Sequence, residues 1–141
     1  MPLPNESESP VAPWSNGRVI NIGVRREHVE ERAQALRNAG YEVQNAFSMA
    51  EMEGCLRNGR ADVLVIGHNV SNEEKRHVLD RLKATGLQCS VVEMYMYVPE
   101  LMAATAHVRW DEVSNGLVEA VKRAASEARR RSSESRVPEL R

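Results

Sequence analysis

Side chains capable of acid–base or metal chemistry lie near the ends of two apolar segments of the chain. His68 and Asn69 come directly after the run Asp62 to Gly67, and Glu93 lies within the segment Cys89 to Met96. If both segments are parallel strands, these side chains meet at the carboxyl edge of the sheet, where open α/β sheets bind ligands. A metal or acid–base site is one hypothesis for them. Loop residues that hydrogen-bond their neighbours are the simpler interpretation, and we favour it.

A pair of arginines, Arg25 and Arg26, stands just before a predicted helix. Together with His68, Asn69 and the backbone N–H groups of the helix start, they could bind a small anion. Gly23 stands alone, without the spacing of a glycine-rich phosphate loop. Exposed arginines that cover the helix start are therefore the favoured interpretation. The remaining histidines show no metal-ligand spacing, so neither a metal nor another cofactor is predicted.

The two cysteines and the overall composition exclude several classes of protein. Cys55 and Cys89 lack a CxxC spacing and a neighbouring base, which predicts packed, reduced thiols. With no secretory signal, the chain is expected to be cytoplasmic. It has 141 residues and a net charge of -1. These values predict one domain, no general nucleic-acid binding and, without a long apolar run, no membrane span.

Strand-like and helix-like segments alternate through the middle of the chain. β-Branched runs predict strands, while apolar residues at helical spacing predict helices, two of them opened by the capping boxes Ser48–Glu51 and Ser71–Glu74. The predicted order is strand 18–24, helix 27–39, strand 41–47, helix 48–58, strand 62–67, helix 71–85, strand 89–96, short helix 98–106, short strand 106–110 and helix 111–125. Such β/α units predict an α/β, flavodoxin-like fold, a doubly wound five-stranded parallel sheet of order 2-1-3-4-5.

The two ends of the chain differ from this middle part. Residues 1–17 are rich in Pro, Ser, Glu and Asn, which predicts a disordered N-terminal tail. Residues 126–141 predict a helix end followed by a disordered polar tail. Arg129 to Arg131 suit the negative end of a helix dipole, with contact to an acidic partner or to nucleic acid as the alternative. The folded domain is therefore expected to span residues 18–125.

The middle part resembles the receiver domain of response regulators. The resemblance covers nearly the whole predicted domain and rests on the segments 19–22, 36–43, 61–66 and 117–121, with Ala39-Gly40-Tyr41-Glu42-Val43 the most similar. It implies a CheY-like fold and a place in two-component signalling. The segment between the last two strands is shorter than is usual in that family, so a shortened fourth helix is expected.

The residues that carry phosphorylation in receivers are replaced in this chain. The resemblance implies an acidic pair at Gly23 and Val24 and a phosphoacceptor aspartate at Gly67. It also implies a hydroxyl near Glu93 or Met94 and a lysine near Arg109 or Trp110. Magnesium needs carboxylate oxygens, and phosphoryl transfer needs a nucleophilic carboxylate, neither of which these positions supply. We therefore expect a pseudo-receiver that is not phosphorylated and is not an enzyme.

The strand Cys89 to Met96 leads into a run of large side chains of the kind found at interfaces, Met94-Tyr95-Met96-Tyr97. In receivers the fourth helix, fifth strand and fifth helix form the usual partner surface. The equivalent candidates here are Leu101, Met102, Val108, Arg109 and Trp110. We expect a phosphorylation-independent module that binds a protein partner or a second copy of itself, with a small-ligand sensor as the alternative.

Overall fold

The computed structural model describes residues 15–58, 61–85 and 88–136, with side chains described up to Arg131. The predicted tails at 1–14 and 137–141 lie outside the described residues. The elements in chain order are β1 (Arg18–Ile22), α1 (Arg26–Asn38), β2 (Glu42–Ala46), α2 (Met49–Arg57), β3 (Val63–Ile66), α3 (Asn72–Thr85), β4 (Ser90–Tyr95), β5 (Ala106–Arg109) and α4 (Asn115–Arg136).

The strands form one parallel five-stranded sheet in the order β2-β1-β3-β4-β5. The predicted flavodoxin-like fold is thus confirmed. The register aligns Ile22 with Ala46 and with Ile66, and Ile66 with Glu93, so the carboxyl ends of four strands meet at one edge. We refer to this carboxyl edge, with the loops that follow it, as the sheet mouth.

Alternation along the strands builds a core on each face of the sheet, because successive strand side chains point to opposite faces. In β1, Val19 packs on the side of α1 and α4, while Ile20 and Ile22 pack on the side of α2 and α3. The same alternation in β3 places Val63 and Val65 on the first side. It therefore also directs positions 23 and 67 toward α1.

The serine half of both predicted capping boxes is present at the helix starts. The Ser48 hydroxyl accepts a hydrogen bond from the N–H of Glu51 at 3.1 Å, and the Ser71 hydroxyl accepts one from Glu74 at the same distance. These bonds satisfy N–H groups that a helix start would otherwise leave unpaired.

The connection between β4 and β5 differs from the prediction. No helix forms between residues 96 and 105, all of which are described, so the expected short helix at 98–106 is absent rather than shortened. The carboxylate of Glu93 accepts hydrogen bonds from the N–H groups of Glu100 and Leu101, both at 2.8 Å. These long-range bonds, together with Pro99, fix the segment as an irregular loop.

The last helix begins later and continues further than predicted. Residues 111–114 form a turn, and α4 runs from Asn115 to Arg136, beyond the expected domain limit at residue 125. Ala128 is buried, and the Arg131 guanidinium donates to the Ser90 hydroxyl at 3.0 Å. Contacts with the start of β4 therefore hold the helix beyond the expected limit.

Candidate functional site

A buried arginine occupies the centre of the sheet mouth. The guanidinium of Arg32, from α1, lies between the backbones of Gly23, after β1, and Gly67, after β3. A methyl carbon at either glycine would be only 2.6 Å from Arg32 Nη2. Both positions were expected to lack a carboxylate. In the structure, the absence of side chains at these two positions leaves a space that the Arg32 guanidinium occupies.

Neutral groups hold the Arg32 side chain. Its Nε donates to the Asn21 side-chain oxygen at 3.0 Å, and its Nη2 donates to the Ile22 carbonyl at 3.1 Å. No carboxylate lies within ion-pair distance of it among the described residues. Burial lowers the pKa of Arg32 to about 10, so the group remains charged at neutral pH. The mouth thus contains a buried positive charge without an ionic partner.

A second buried cation at the sheet mouth, Lys75 of α3, is paired with a carboxylate. Its ammonium donates to Glu93 at 2.8 Å and to the Met94 carbonyl at 2.9 Å, with Lys75 3% and Glu93 0% exposed. Burial acts to raise the pKa of Glu93. The hydrogen bonds from Lys75 and from the N–H groups of Leu101 and Glu100 outweigh it and lower that pKa overall. Glu93 therefore stabilises the β4–β5 loop rather than joining His68 and Asn69 in an acid–base site.

His68 lies between two other rings at the mouth. Its ring centroid is 5.1 Å from that of His28 and 5.8 Å from that of Trp110. Burial, followed by the charges of His28, Arg32 and Lys75, lowers the pKa of His68. Its Nδ1 is buried and has no hydrogen-bond partner among the described residues. The favoured interpretation expected hydrogen bonds to neighbours, whereas the contacts seen for this side chain are with two rings.

The predicted anion-binding set is not brought together. Arg25 pairs with Glu27 at 3.3 Å and Arg26 with Glu30 at 3.4 Å, all with mostly exposed side chains. The Arg26 guanidinium also covers the Phe47 ring at 4.8 Å. Asn69 is exposed as well. The two arginines thus pair with acidic side chains of the same helix at its exposed start.

The residues predicted for a partner surface divide into two groups. Leu101 and Val108 are each 3% exposed and belong to the core, so a partner cannot contact their side chains. This corrects their place in the predicted set, since both side chains point toward the sheet. Met102 is 93% and Trp110 40% exposed, and Arg109 is exposed in an ion pair with Asp111 at 2.8 Å.

Exposed apolar side chains concentrate in the segments that follow three strands at the mouth. Within the described ranges, the large exposed ones are Val24 after β1, Met96, Tyr97, Val98 and Met102 after β4, and Trp110 after β5. A groove of about 290 Å³ between α2 and α3 opens near Val24 and Phe47. A wider one of about 590 Å³ lies between α1 and the start of α4, beside His28 and Trp110. The mouth is apolar and cationic rather than acidic.

Comparison with known proteins identifies the architecture. No protein-family model and no curated protein sequence matches the chain. A response regulator from Thermotoga maritima has a similar structure, with a TM-score of 0.67 at 20% identity over 77% of this chain and 97% of the other. A CheY-like receiver domain from Methanospirillum hungatei gives 0.71 at 13% identity, over 82% and 98%. One from Methylobacillus flagellatus gives 0.67 at 10%, over 76% and 97%.

The chain has the receiver fold. The residues at the mouth, however, do not fit the divalent cation that a receiver's acidic pocket holds. Across residues 15–58, 61–85 and 88–131, no group of three His, Cys, Asp or Glu side chains could bind a metal ion. The space between Gly23 and Gly67 is filled by a guanidinium.

Two residues of the mouth, Arg32 and Lys75, were missed in the sequence. Each occupies a position on the apolar stripe of its helix. Arg32 lies three residues after Val29 and four before Leu36, and Lys75 lies three before Val78. A cation on such a stripe is a usable signal, because its burial requires a specific partner.

The cysteines and the helices give two further findings. Cys89 is buried and Cys55 half-buried, both free. Burial raises the pKa of Cys89 to about 12, which agrees with the predicted packing role. No helix in the described part of the chain is long and apolar enough to cross a membrane.

Proposed function

We propose that this chain is a receiver-type signalling module that works without phosphorylation and acts by binding a protein. The observation that supports it most is the position of the Arg32 guanidinium. It fills the space between Gly23 and Gly67, where a receiver needs a divalent cation and a reactive carboxylate. A fixed positive charge there repels magnesium, and glycine offers no nucleophile.

The β4–β5 loop supports the interaction part of the proposal. Glu93 holds the N–H groups of Glu100 and Leu101, and the Leu101 side chain is anchored in the core. The same loop presents Tyr97 and Met102, which are 87% and 93% exposed. A loop fixed in this way loses little conformational entropy when a partner covers its apolar side chains. Contiguous exposed apolar surface of this kind marks interaction sites.

Loss of phosphorylation is tested by incubating the protein with acetyl phosphate and magnesium chloride and measuring its intact mass. We expect no added phosphoryl group, and no selective shift of the amide signals of Gly23 and Gly67 on magnesium titration by NMR. A receiver domain that carries the phosphoacceptor aspartate is the positive control. A stable phosphoryl adduct on this chain would refute the proposal.

The interaction is tested by comparing wild type with Met102→Ser and Trp110→Ala in affinity capture from native extract and in sedimentation at several concentrations. We expect at least one of the two assays to detect association with a partner or a second copy, weakened about tenfold or more in the variants. Ala50→Ser, an exposed change on α2, should leave it unaltered. Association that is equal in all four proteins would remove the exposed residues of the loop and β5 end as the interface.

A further inference from the structure

The sheet mouth contains one more buried positive charge than negative charge. Arg32 and Lys75 are 2% and 3% exposed, and the buried carboxylate of this region, Glu93, pairs with Lys75 at 2.8 Å. Glu93 is occupied by Lys75 and by two backbone N–H groups. The charge of Arg32 therefore has no counter-ion among the described residues. A buried charge is costly unless it is paired and hydrogen-bonded.

Two side-chain nitrogens at the mouth have no hydrogen-bond partner among the described residues, and both are donors in the His68 tautomer that carries its proton on Nδ1. Arg32 Nη1 makes no hydrogen bond within the described part of the chain, and it is 3.1 Å from where a methyl carbon at Gly67 would lie. The next residue is His68, whose Nδ1 is buried without a partner. An acceptor placed above Gly67 would satisfy both nitrogens.

The start of α1 adds a third source of positive potential. The helix has 13 residues, and its N-cap residue Arg25 makes no side-chain capping bond. Unpaired N–H groups at a helix start carry a partial positive charge. The Glu27 carboxylate accepts a hydrogen bond from its own backbone N–H in the first turn and pairs with Arg25 at 3.3 Å, so it offsets part of this potential. The Arg32 side chain runs back toward this end of its own helix, as long helical side chains do.

We propose that the mouth binds a small oxyanion, such as inorganic phosphate, between the β1–α1 loop and the turn after β3. Arg32 Nη1 and His68 Nδ1 contact it. The site lies near the predicted anion site but uses Arg32 in place of Arg25 and Arg26. It inverts the charge of a receiver pocket, because the protein supplies the cation and the ligand supplies the negative oxygens.

Entry of the anion requires local movement. Arg32 is almost inaccessible, so the turn from Gly67 to Val70, closed by a hydrogen bond of 3.2 Å between the Val70 N–H and the Gly67 carbonyl, must open. The amide signals of this turn and of Val24 should therefore shift first on binding.

The test is an NMR titration of the folded chain with inorganic phosphate at constant ionic strength, balanced with chloride. We expect saturable shifts centred on Gly67, His68 and Val24, with a dissociation constant on the order of 1 mM. Arg32→Gln should weaken binding about tenfold or more, since it removes a charge-assisted hydrogen bond. His68→Phe keeps a ring against His28 and Trp110 but removes the donor, and should weaken binding about threefold to tenfold.

The control is the double variant Arg25→Gln, Arg26→Gln, which removes the exposed arginines and should change the affinity less than twofold. His68→Phe keeps the test valid if Arg32→Gln does not fold. Absence of phosphate-specific shifts in the wild type would overturn the proposal and leave a buried water as the partner of the two nitrogens. Binding that survives both mouth variants and is lost in the control would overturn it in favour of the surface arginines.

Discussion

Two buried cations lie at the same edge of the sheet, and they differ in the groups that they contact. Lys75 meets a carboxylate, Glu93, at 2.8 Å and a carbonyl at 2.9 Å. Arg32 meets an amide oxygen and a carbonyl, at 3.0 and 3.1 Å, and has no carboxylate partner in the described chain. One charge is neutralised inside the protein, whereas the other is only solvated by neutral dipoles.

The presence or absence of a carboxylate partner indicates a different role for each cation. The Lys75–Glu93 pair links α3 to the β4–β5 loop, so it determines the conformation of the surface that we propose for a partner. Arg32 links α1 to the ends of β1 and β3 and keeps an uncompensated charge at the mouth. The first is a structural ion pair. The second retains binding capacity, because an anion brought from outside can supply the missing counter-charge.

Replacing each cation by methionine is expected to have the largest effect and to separate the two sites. Lys75→Met leaves Glu93 buried without its cation, and breaking a buried pair costs about 3–5 kcal/mol. Arg32→Met leaves no charge behind but leaves the buried Asn21 side-chain oxygen without its donor, at a cost of about 1–3 kcal/mol. The free energies of unfolding are measured by denaturant titration. Equal losses, or a larger loss for Arg32→Met, would contradict the distinction between the two cations.

An alanine at Gly67 is expected to have the next largest effect. Its methyl carbon would lie 2.6 Å from Arg32 Nη2 and 3.0 Å from Cζ, so the guanidinium must shift and its hydrogen bonds must lengthen. Overpacking of this kind costs about 1–3 kcal/mol. Gly54→Ala is the matched control, because the nearest side-chain atom there is 3.9 Å away. That change inside α2 should stabilise the protein by about 0.5–1 kcal/mol.

The same experiment in an Arg32→Met background shows whether the guanidinium is the cause. Methionine is flexible and uncharged, so the cost of Gly67→Ala should fall by at least half there. Thermal and denaturant unfolding of the four proteins give the double-mutant cycle. If Gly67→Ala lowers the free energy of unfolding equally in both backgrounds, the alanine methyl clashes with the backbone rather than with Arg32.

The sheet could be predicted from local patterns because β1 and β3 are rich in β-branched and apolar residues and because α2 and α3 carry serine caps in the sequence. Ser48 and Ser71 act at short range, three residues from the N–H groups that they accept from. The segment 98–106 was predicted to be helical because nothing within it shows that Glu93, seven residues before Glu100, holds its backbone. Tertiary hydrogen bonds override local preference at such a position.

For the sheet mouth, the sequence predicted only the absence of carboxylates. Gly23 and Gly67, at the positions that the resemblance assigns to acidic residues, predicted that no acidic pocket lies there. The position of the Arg32 guanidinium could not be predicted in this way. Its side chain reaches from α1 to the ends of β1 and β3, and only the folded chain brings these elements together. The position of Arg32 on the apolar stripe of α1 was visible, but the stripe was defined by Val29, Ala33 and Leu36 without it.

The smallest expected effect is a pH dependence centred on His68, which faces His28 and Arg32 of α1, Lys75 of α3 and the Trp110 ring. Burial and these charges keep the pKa of His68 below its ordinary value of 6.5 in the folded protein. In the unfolded chain it protonates at the ordinary value, so below that pH the unfolded state binds more protons. The free energy of unfolding should therefore fall as pH drops from 8 to 5.5, by at most about 1.4 kcal/mol per unit for this group.

Urea unfolding at several pH values measures this slope, which His68→Phe should reduce, while His77→Gln, an exposed change on α3, should leave it intact. The two cations then give the sharpest comparison. Glu93 neutralises Lys75, whereas nothing in the described chain neutralises Arg32, so Arg32→Met should reduce the slope more than Lys75→Met. The reverse order would mean that the charge of Lys75 is felt at His68 despite its carboxylate, and that Arg32 is already compensated.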